Sequence, residues 1–101
     1  MPAQLIDGGV TTPAGFVAAG VHCGIKKPTH AWPEDLCLIV STSGPVPAAA
    51  VFTTNQAVAA PVVVSRDHLT RAGGLCAAAV VNSGCANACT GEAGMAVAKG
   101  M

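Results

Sequence analysis

The chain has 101 residues, of which 51% are hydrophobic and 10% are charged, with five basic residues balanced by five acidic ones. At most one domain fits in that length. High hydrophobicity and zero net charge exclude an intrinsically disordered protein. The absence of a basic cluster larger than Lys26 and Lys27 excludes electrostatic binding of nucleic acid or anionic lipid.

The apolar content comes from small side chains, with twenty alanines and thirteen valines but only Phe16, Trp32 and Phe52 as large anchors. Small side chains bury little area each, so a self-sufficient core is not expected at this length. The charged fraction is also less than half of the quarter that is usual in soluble domains. Composition therefore predicts that residues 1–101 form one incomplete domain. Another chain or domain is expected to cover its apolar surface.

The longest uncharged stretch, residues 36–65, is interrupted by Pro45, Pro47 and Pro61 and carries many polar side chains. A membrane span needs about 20 mostly apolar residues in a row. The first ten residues have neither the basic region nor the apolar region of a signal peptide. These features predict no membrane partner and a cytoplasmic protein.

Five cysteines, an odd number, occur at irregular spacing, and this pattern does not suggest a disulfide framework. We expect reduced, buried thiols at all of them: Cys23, Cys37, Cys76, Cys85 and Cys89.

The first half of the chain divides at its turn residues into a turn-rich lead-in and two strands. The lead-in is 1–15, and a strand is predicted over 16–25, with glycines where a bulge or a close backbone approach fits. An exposed connector, 26–35, holds four of the ten charged residues. The continuous apolar run 36–42 predicts a strand that is covered on both faces.

The second half begins with two further predicted strands, 48–54 and the β-branched run 62–65 that Pro61 opens. One or two helical turns follow at 66–71, then a strand at 75–81. A last helix starts at Thr90 as N-cap, and the sequence stops inside it, which suggests truncation. The predicted fold class is α/β or α+β, with a mainly antiparallel sheet followed by a strand-loop-helix unit.

The loop between the last strand and the last helix is the best candidate for a functional site. Backbone N–H groups, asparagine side chains and a helix N-terminus meet there, so the loop can bind an anion or orient a catalytic segment. The alternative is a polar connection that Asn and Thr cap. The candidate residues are Asn82, Ser83, Gly84, Asn87, Thr90 and Gly91.

Other chemistry has weak support in the sequence. His22 and Cys23 are adjacent on a predicted strand, which points them to opposite faces and prevents a Cys-His dyad. The histidines and cysteines lack metal-ligand spacing, so no metal is expected. The only neighbouring carboxylates are Glu34 and Asp35, in the connector, and no Gly-x-Ser-x-Gly motif occurs. The chain therefore has no complete catalytic set.

Four segments resemble, in order and spacing, the N-terminal part of the ornithine acetyltransferase family, also called glutamate N-acetyltransferase, of arginine biosynthesis. These segments are GGVTTPAGFVAAGVHCGIKK at 8–27, DLCLIVST at 35–42, AAVFTTNQAVAAPVVVSRDHL at 49–69 and AVVNSGCANACTGEAG at 79–94. The most specific pieces are VFTTN in the third segment and VVNSGCANACTG in the fourth, at 51–55 and 80–91.

The resemblance implies a layered αββα fold shared with autoproteolytic aminopeptidases. It also implies a precursor that cleaves itself before a Thr into α and β chains, which assemble as an α2β2 heterotetramer. The new N-terminal Thr accepts the acetyl group of N-acetylornithine and passes it to glutamate without a cofactor, and bifunctional members also use acetyl-CoA.

The resemblance places the nucleophilic Thr and the oxyanion-hole residues beyond Met101. No threonine present is then the nucleophile, and the loop 82–91 supports the site rather than performing the chemistry. Two alternatives stay open: a related autoproteolytic aminopeptidase, and a stand-alone binding or structural module.

Overall fold

The computed structural model describes residues 2–27 and 33–101 as a mixed α/β fold. Seven elements follow in chain order: β1 Phe16–Val21, β2 Leu36–Ser41, β3 Val46–Pro47, α1 Ala60–Arg71, β4 Leu75–Cys76, β5 Ala78–Asn82 and α2 Gly91–Gly100. The predicted fold class is therefore confirmed.

Three strands form the main sheet, in the order β1-β2-β5, and both pairs are antiparallel. The apolar strand β2 is central, so that Ile39 pairs with Ala18 on one side and with Ala79 on the other. A second, two-residue ladder joins β3 to β4. The antiparallel sheet is as predicted, but β2 is only half-buried and Leu38 is exposed, so the expected cover on both faces is wrong for this chain.

The predicted strand over 62–65 is wrong, because these residues belong to helix α1. Pro61 lies in the first turn, where its missing N–H leaves no hydrogen bond unmade and its fixed φ suits a helix. The Ser65 hydroxyl donates to the Pro61 carbonyl at 2.7 Å. Helical spacing also puts Val64 and Ala60 on one buried side, which a strand would not do.

The strand predicted over 48–54 is also wrong, since this stretch has no regular structure. Turn hydrogen bonds occupy its end: Asn55 N–H donates to the Thr53 hydroxyl at 3.1 Å, and the Asn55 carboxamide accepts from Ala57 N–H at 2.9 Å. Phe52 in this stretch is half-buried and contacts helix α1. The Arg66 guanidinium lies 5.0 Å from the centre of its ring, a cation–π contact.

Smaller differences concern boundaries and exposure. β1 ends at Val21 rather than at residue 25, and the predicted strand 75–81 divides into β4 and β5. The five cysteines are free, and each is exposed or half-buried, so the expectation of buried thiols is wrong. Trp32 and His30 lie outside the described residues.

The core is small, as composition predicts. Within the described ranges the buried apolar residues are Ala60 and Val64. The accessible surface is 7683 Å², about 2,500 Å² more than the ~5,200 Å² of a compact monomer of this mass. The radius of gyration is 15.7 Å, against about 13 Å for a compact domain. In the part of the chain that is described, no helix is long and apolar enough to cross a membrane.

Candidate functional site

The loop 82–91 leaves the sheet at β5 and is fixed there to two earlier segments. Ser83 N–H donates to the Asp35 carbonyl at 2.9 Å. Gly84 has φ of 106°, and a Cβ at this position would lie 2.7 Å from the Lys26 side chain and 3.2 Å from that of Ile25. Only glycine combines this backbone conformation with such a close approach, so the first half of the loop packs tightly on the turn that follows β1.

Asn87 organises the second half of the loop. Its backbone is left-handed, with φ of 52°, a conformation that asparagine tolerates better than most residues. The side-chain Nδ2 donates to the Gly94 carbonyl at 2.8 Å, and Oδ1 accepts from the Thr90 hydroxyl at 2.6 Å. The backbone carbonyl of Asn87 accepts from Ala60 N–H at 3.1 Å. One residue therefore joins the loop to both helices.

The Thr90 side chain does not act as a helix cap. It occupies the N-cap position of α2, but its hydroxyl donates to Asn87 and makes no cap hydrogen bond to the first turn. A Thr hydroxyl caps by accepting from N–H groups at N2 or N3, and here its hydrogen bonds point back into the loop. Thr90 is therefore the N-cap residue by position, as predicted, but its side chain does not cap the helix.

Asp35 is a buried residue at the start of the loop that the sequence did not single out as a candidate. It was expected in an exposed connector, yet it is 2% exposed. Its carboxylate accepts from Cys23 N–H at 2.7 Å and from Lys26 N–H at 2.9 Å. These donors, Cys23 first, hold the pKa of Asp35 well below its usual range, so the side chain is a carboxylate at neutral pH.

His22 and Cys23 do not lie on opposite faces of a strand, because β1 ends at Val21 and both residues turn toward Asp35. His22 Nδ1 is 2.7 Å from the Pro33 carbonyl and 3.5 Å from the Asp35 carboxylate. The hydrogen bond to that carboxylate raises the pKa of the Cys23 thiol. A thiol with a raised pKa is less ionised and is therefore a weaker nucleophile. The hydrogen bonds from Cys23 and Lys26 to Asp35 tie the turn after β1 to the start of β2.

The structure separates the predicted site residues into two groups. Asn82, Ser83 and Gly84 form the sheet end of the loop, where the Asn82 Nδ2 donates to the Cys85 carbonyl at 2.8 Å. Asn87 and Thr90 form the helix end. Gly91, with φ of 63°, has open space around it and joins neither group.

Two signals in the sequence point to the residues that were missed. Asp35 directly precedes a wholly apolar strand in a chain with few acids, a position from which a short carboxylate reaches the N–H groups of a neighbouring turn. Gly94 lies four residues after Thr90, and this spacing places two residues on one face of a helix. Among the described residues, no three His, Cys, Asp or Glu side chains are placed to hold a metal ion.

Comparison with solved structures gives close matches. The chain superposes on the arginine biosynthesis bifunctional protein ArgJ of Bacillus halodurans with a TM-score of 0.80 and 42% identity, covering 90% of this chain and 44% of that one. The ornithine acetyltransferase of Mycobacterium tuberculosis, solved in complex with ornithine, gives a TM-score of 0.73 and 52% identity over 87% of this chain and 43% of that one.

Sequence relatives carry the same name. The mitochondrial arginine biosynthesis bifunctional protein ArgJ of Coprinopsis cinerea is 52% identical over 82% of this chain, which corresponds to 17% of the relative. That of Ajellomyces capsulatus is 48% identical over 97% of this chain and 20% of the relative. The chain thus spans about a fifth of the length of these curated relatives. Residues 17–101 match the ArgJ family, and the chain belongs to that family.

Proposed function

We propose that this chain is the N-terminal part of the α-chain of an ArgJ-type acetyltransferase, which moves the acetyl group of N-acetylornithine to glutamate. The observation that carries the proposal is the family match over residues 17–101, which includes the whole loop 82–91. The solved relative from Mycobacterium tuberculosis is titled an ornithine acetyltransferase in complex with ornithine, which supports an amino-acid substrate of this class.

Residues 1–101 make up one incomplete domain in this proposal. Its support is physical: the chain has a core of two buried apolar side chains within the described ranges and a surface far larger than a compact monomer needs. The matched relatives are about five times as long. We infer that the remaining part of the enzyme covers this surface.

The loop 82–91 supports the reaction and does not perform it. The Thr90 hydroxyl donates to the Asn87 carboxamide, which is not a base and cannot take up its proton. A threonine nucleophile needs a base, and in this family's chemistry the amine of a newly formed N-terminal Thr supplies it. We therefore place the acetyl-threonine intermediate and the oxyanion hole on residues outside this chain, with no cofactor required.

The remaining parts of the proposal concern partners and location. The β-chain of the same precursor is the proposed partner, in an α2β2 heterotetramer, and acetyl-CoA is a possible second acetyl donor. We also propose a cytoplasmic location. The fungal relatives are named mitochondrial, so location differs among members of the family or follows segments outside the matched region.

A chimera tests the proposal, with this chain replacing the matching segment of the Bacillus halodurans relative. We expect the chimera to transfer acetyl groups from N-acetylornithine to glutamate, and the 101-residue chain alone to give no turnover. Release of amino acids from peptides, measured in parallel, tests the aminopeptidase alternative.

Two results would contradict the proposal. Turnover by the isolated chain would mean that it contains its own nucleophile. A folded chimera that transfers no acetyl group, or that cleaves peptides instead, would mean that this segment does not serve an acetyltransferase.

A further inference from the structure

The two faces of the main sheet are apolar, and no helix or second sheet of the described residues covers them. Residues paired across antiparallel strands point to the same side, so Ala18, Gly20, Cys37 and Val81 share one face. Val81 is 51% exposed. The two helices pack against each other rather than on the sheet.

A depression of about 290 Å³ lies on this face, with small side chains at its floor. Glu34 stands at its rim, and its carboxylate lies so close over the backbone of Gly20 that a Cβ there would be 2.5 Å from Oε2. Two carboxylates line the depression: Asp35, which is buried and accepts N–H groups from Cys23 and Lys26, and the exposed Glu34. Among the described residues, no cation pairs with Glu34.

We propose that this depression receives a large apolar side chain next to a Lys or Arg, both contributed by the part of the ArgJ-length polypeptide that this chain does not include. The inference rests on the proposed function, because it takes the remaining enzyme as the partner. The Lys or Arg pairs with Glu34, and the apolar side chain covers Cys37.

The exposed area favours a protein partner over a substrate. The excess surface of about 2,500 Å² is of the order that one partner loses in an obligate interface, and it exceeds what a small ligand covers.

The charge of Glu34 determines the chemistry of the occupant. An apolar layer placed over the rim would leave a carboxylate partly buried and unpaired, which is strongly unfavourable. A cation beside the apolar group removes that penalty. This chain offers no such cation among its described residues at the rim, since the lining there contains neither lysine nor arginine.

Cys37 reports whether the depression is filled. In the chimera, maleimide labelling of each cysteine is followed by mass spectrometry, natively and in denaturant. We expect Cys37 to label at least about a hundredfold more slowly in the native chimera than in denaturant, because thiol reactivity follows exposure.

Glu34→Lys should raise the native rate about tenfold or more by repelling the cation, and Glu34→Gln should raise it less. Asp7→Lys, in the exposed lead-in, should leave the rate unchanged.

The outcomes separate this inference from the proposed function. An active chimera whose Cys37 labels almost as fast as in denaturant would overturn the docking and leave the function standing. A protected Cys37 in an inactive chimera would support the docking and contradict the function. Equal labelling rates of Cys37 in the Glu34→Lys variant and the parent would exclude the paired cation. A chimera in which every cysteine labels as fast as in denaturant would also contradict the docking.

Discussion

Gly94→Ala is expected to destabilise the chimera and to displace the loop 82–91. Gly94 is buried in α2, and a Cβ there would overlap both the hydroxyl and the Cβ of Thr90, with Asn87 Oδ1 also in contact. Rotating the Thr90 side chain cannot relieve an overlap that includes its Cβ, so the backbone must move. We expect a loss of about 2 kcal/mol or more in the free energy of unfolding. The rate of acetyl transfer should fall about tenfold or more, because small displacements of groups near a reacting centre lower the rate strongly.

Gly100→Ala is the matched control. It lies at the end of the same helix, and a Cβ there meets nothing within 4 Å. Alanine is the better helix former, so this variant should be neutral or more stable by up to about 1 kcal/mol. Urea unfolding and initial rates measure both variants. Equal effects of the two substitutions, or a fully active Gly94→Ala chimera, would contradict the packing described for Thr90 and Asn87.

Asp35→Asn is expected to loosen the turn after β1 and the start of the loop together. The carboxylate accepts one N–H with each oxygen, from Cys23 and from Lys26. A carboxamide has only one oxygen, so its NH2 group would face one of these donors and leave it unsatisfied. We expect the thermal midpoint of the chimera to fall by several degrees. Asp7→Asn, on the exposed lead-in, should not change it.

The stability that the Asp35 carboxylate contributes should depend on pH. The pKa of Asp35 is lowered in the folded state, so its carboxylate contributes stability that is complete above the unfolded pKa of about 4 and is lost as the pH falls toward the folded pKa. The Asn variant lacks this contribution at every pH. The difference in midpoint between parent and variant should therefore be largest at neutral pH and shrink below about pH 4. A difference that is constant with pH would contradict the role of the ionised carboxylate.

The sequence predicted an element correctly where its pattern of residues fits only one kind of secondary structure. The continuous apolar run at 36–42 predicted a strand, and β2 forms there as the central strand of the main sheet, although the expected cover on both faces is absent among the described residues. The helical turns predicted at 66–71 are also confirmed, and α1 ends at Arg71, shortly before Gly73 and Gly74. The order of four short segments predicted the family, which neither of these local patterns could do.

Local patterns failed where two structures fit the same residues. Val62–Val64 are β-branched, but Pro61 suits the first turn of a helix as well as the start of a strand, and tertiary packing of Val64 decides between them. Thr90 has the sequence of a cap, yet Asn87 competes for its hydroxyl. The position of Asp35 before an apolar strand marks the residue, but its partners Cys23 and Lys26 lie 12 and 9 residues away, so the sequence does not identify them.

The location of the acetyl group tests the central claim most directly. The chimera is incubated with N-acetylornithine in the absence of glutamate, so that the acetyl-enzyme accumulates, and its peptides are analysed by mass spectrometry. We expect one acetyl group per active site, on a threonine of the relative's part, and none on a threonine of this chain. Stoichiometric acetylation of Thr90, or of any other threonine between residues 1 and 101, would contradict it.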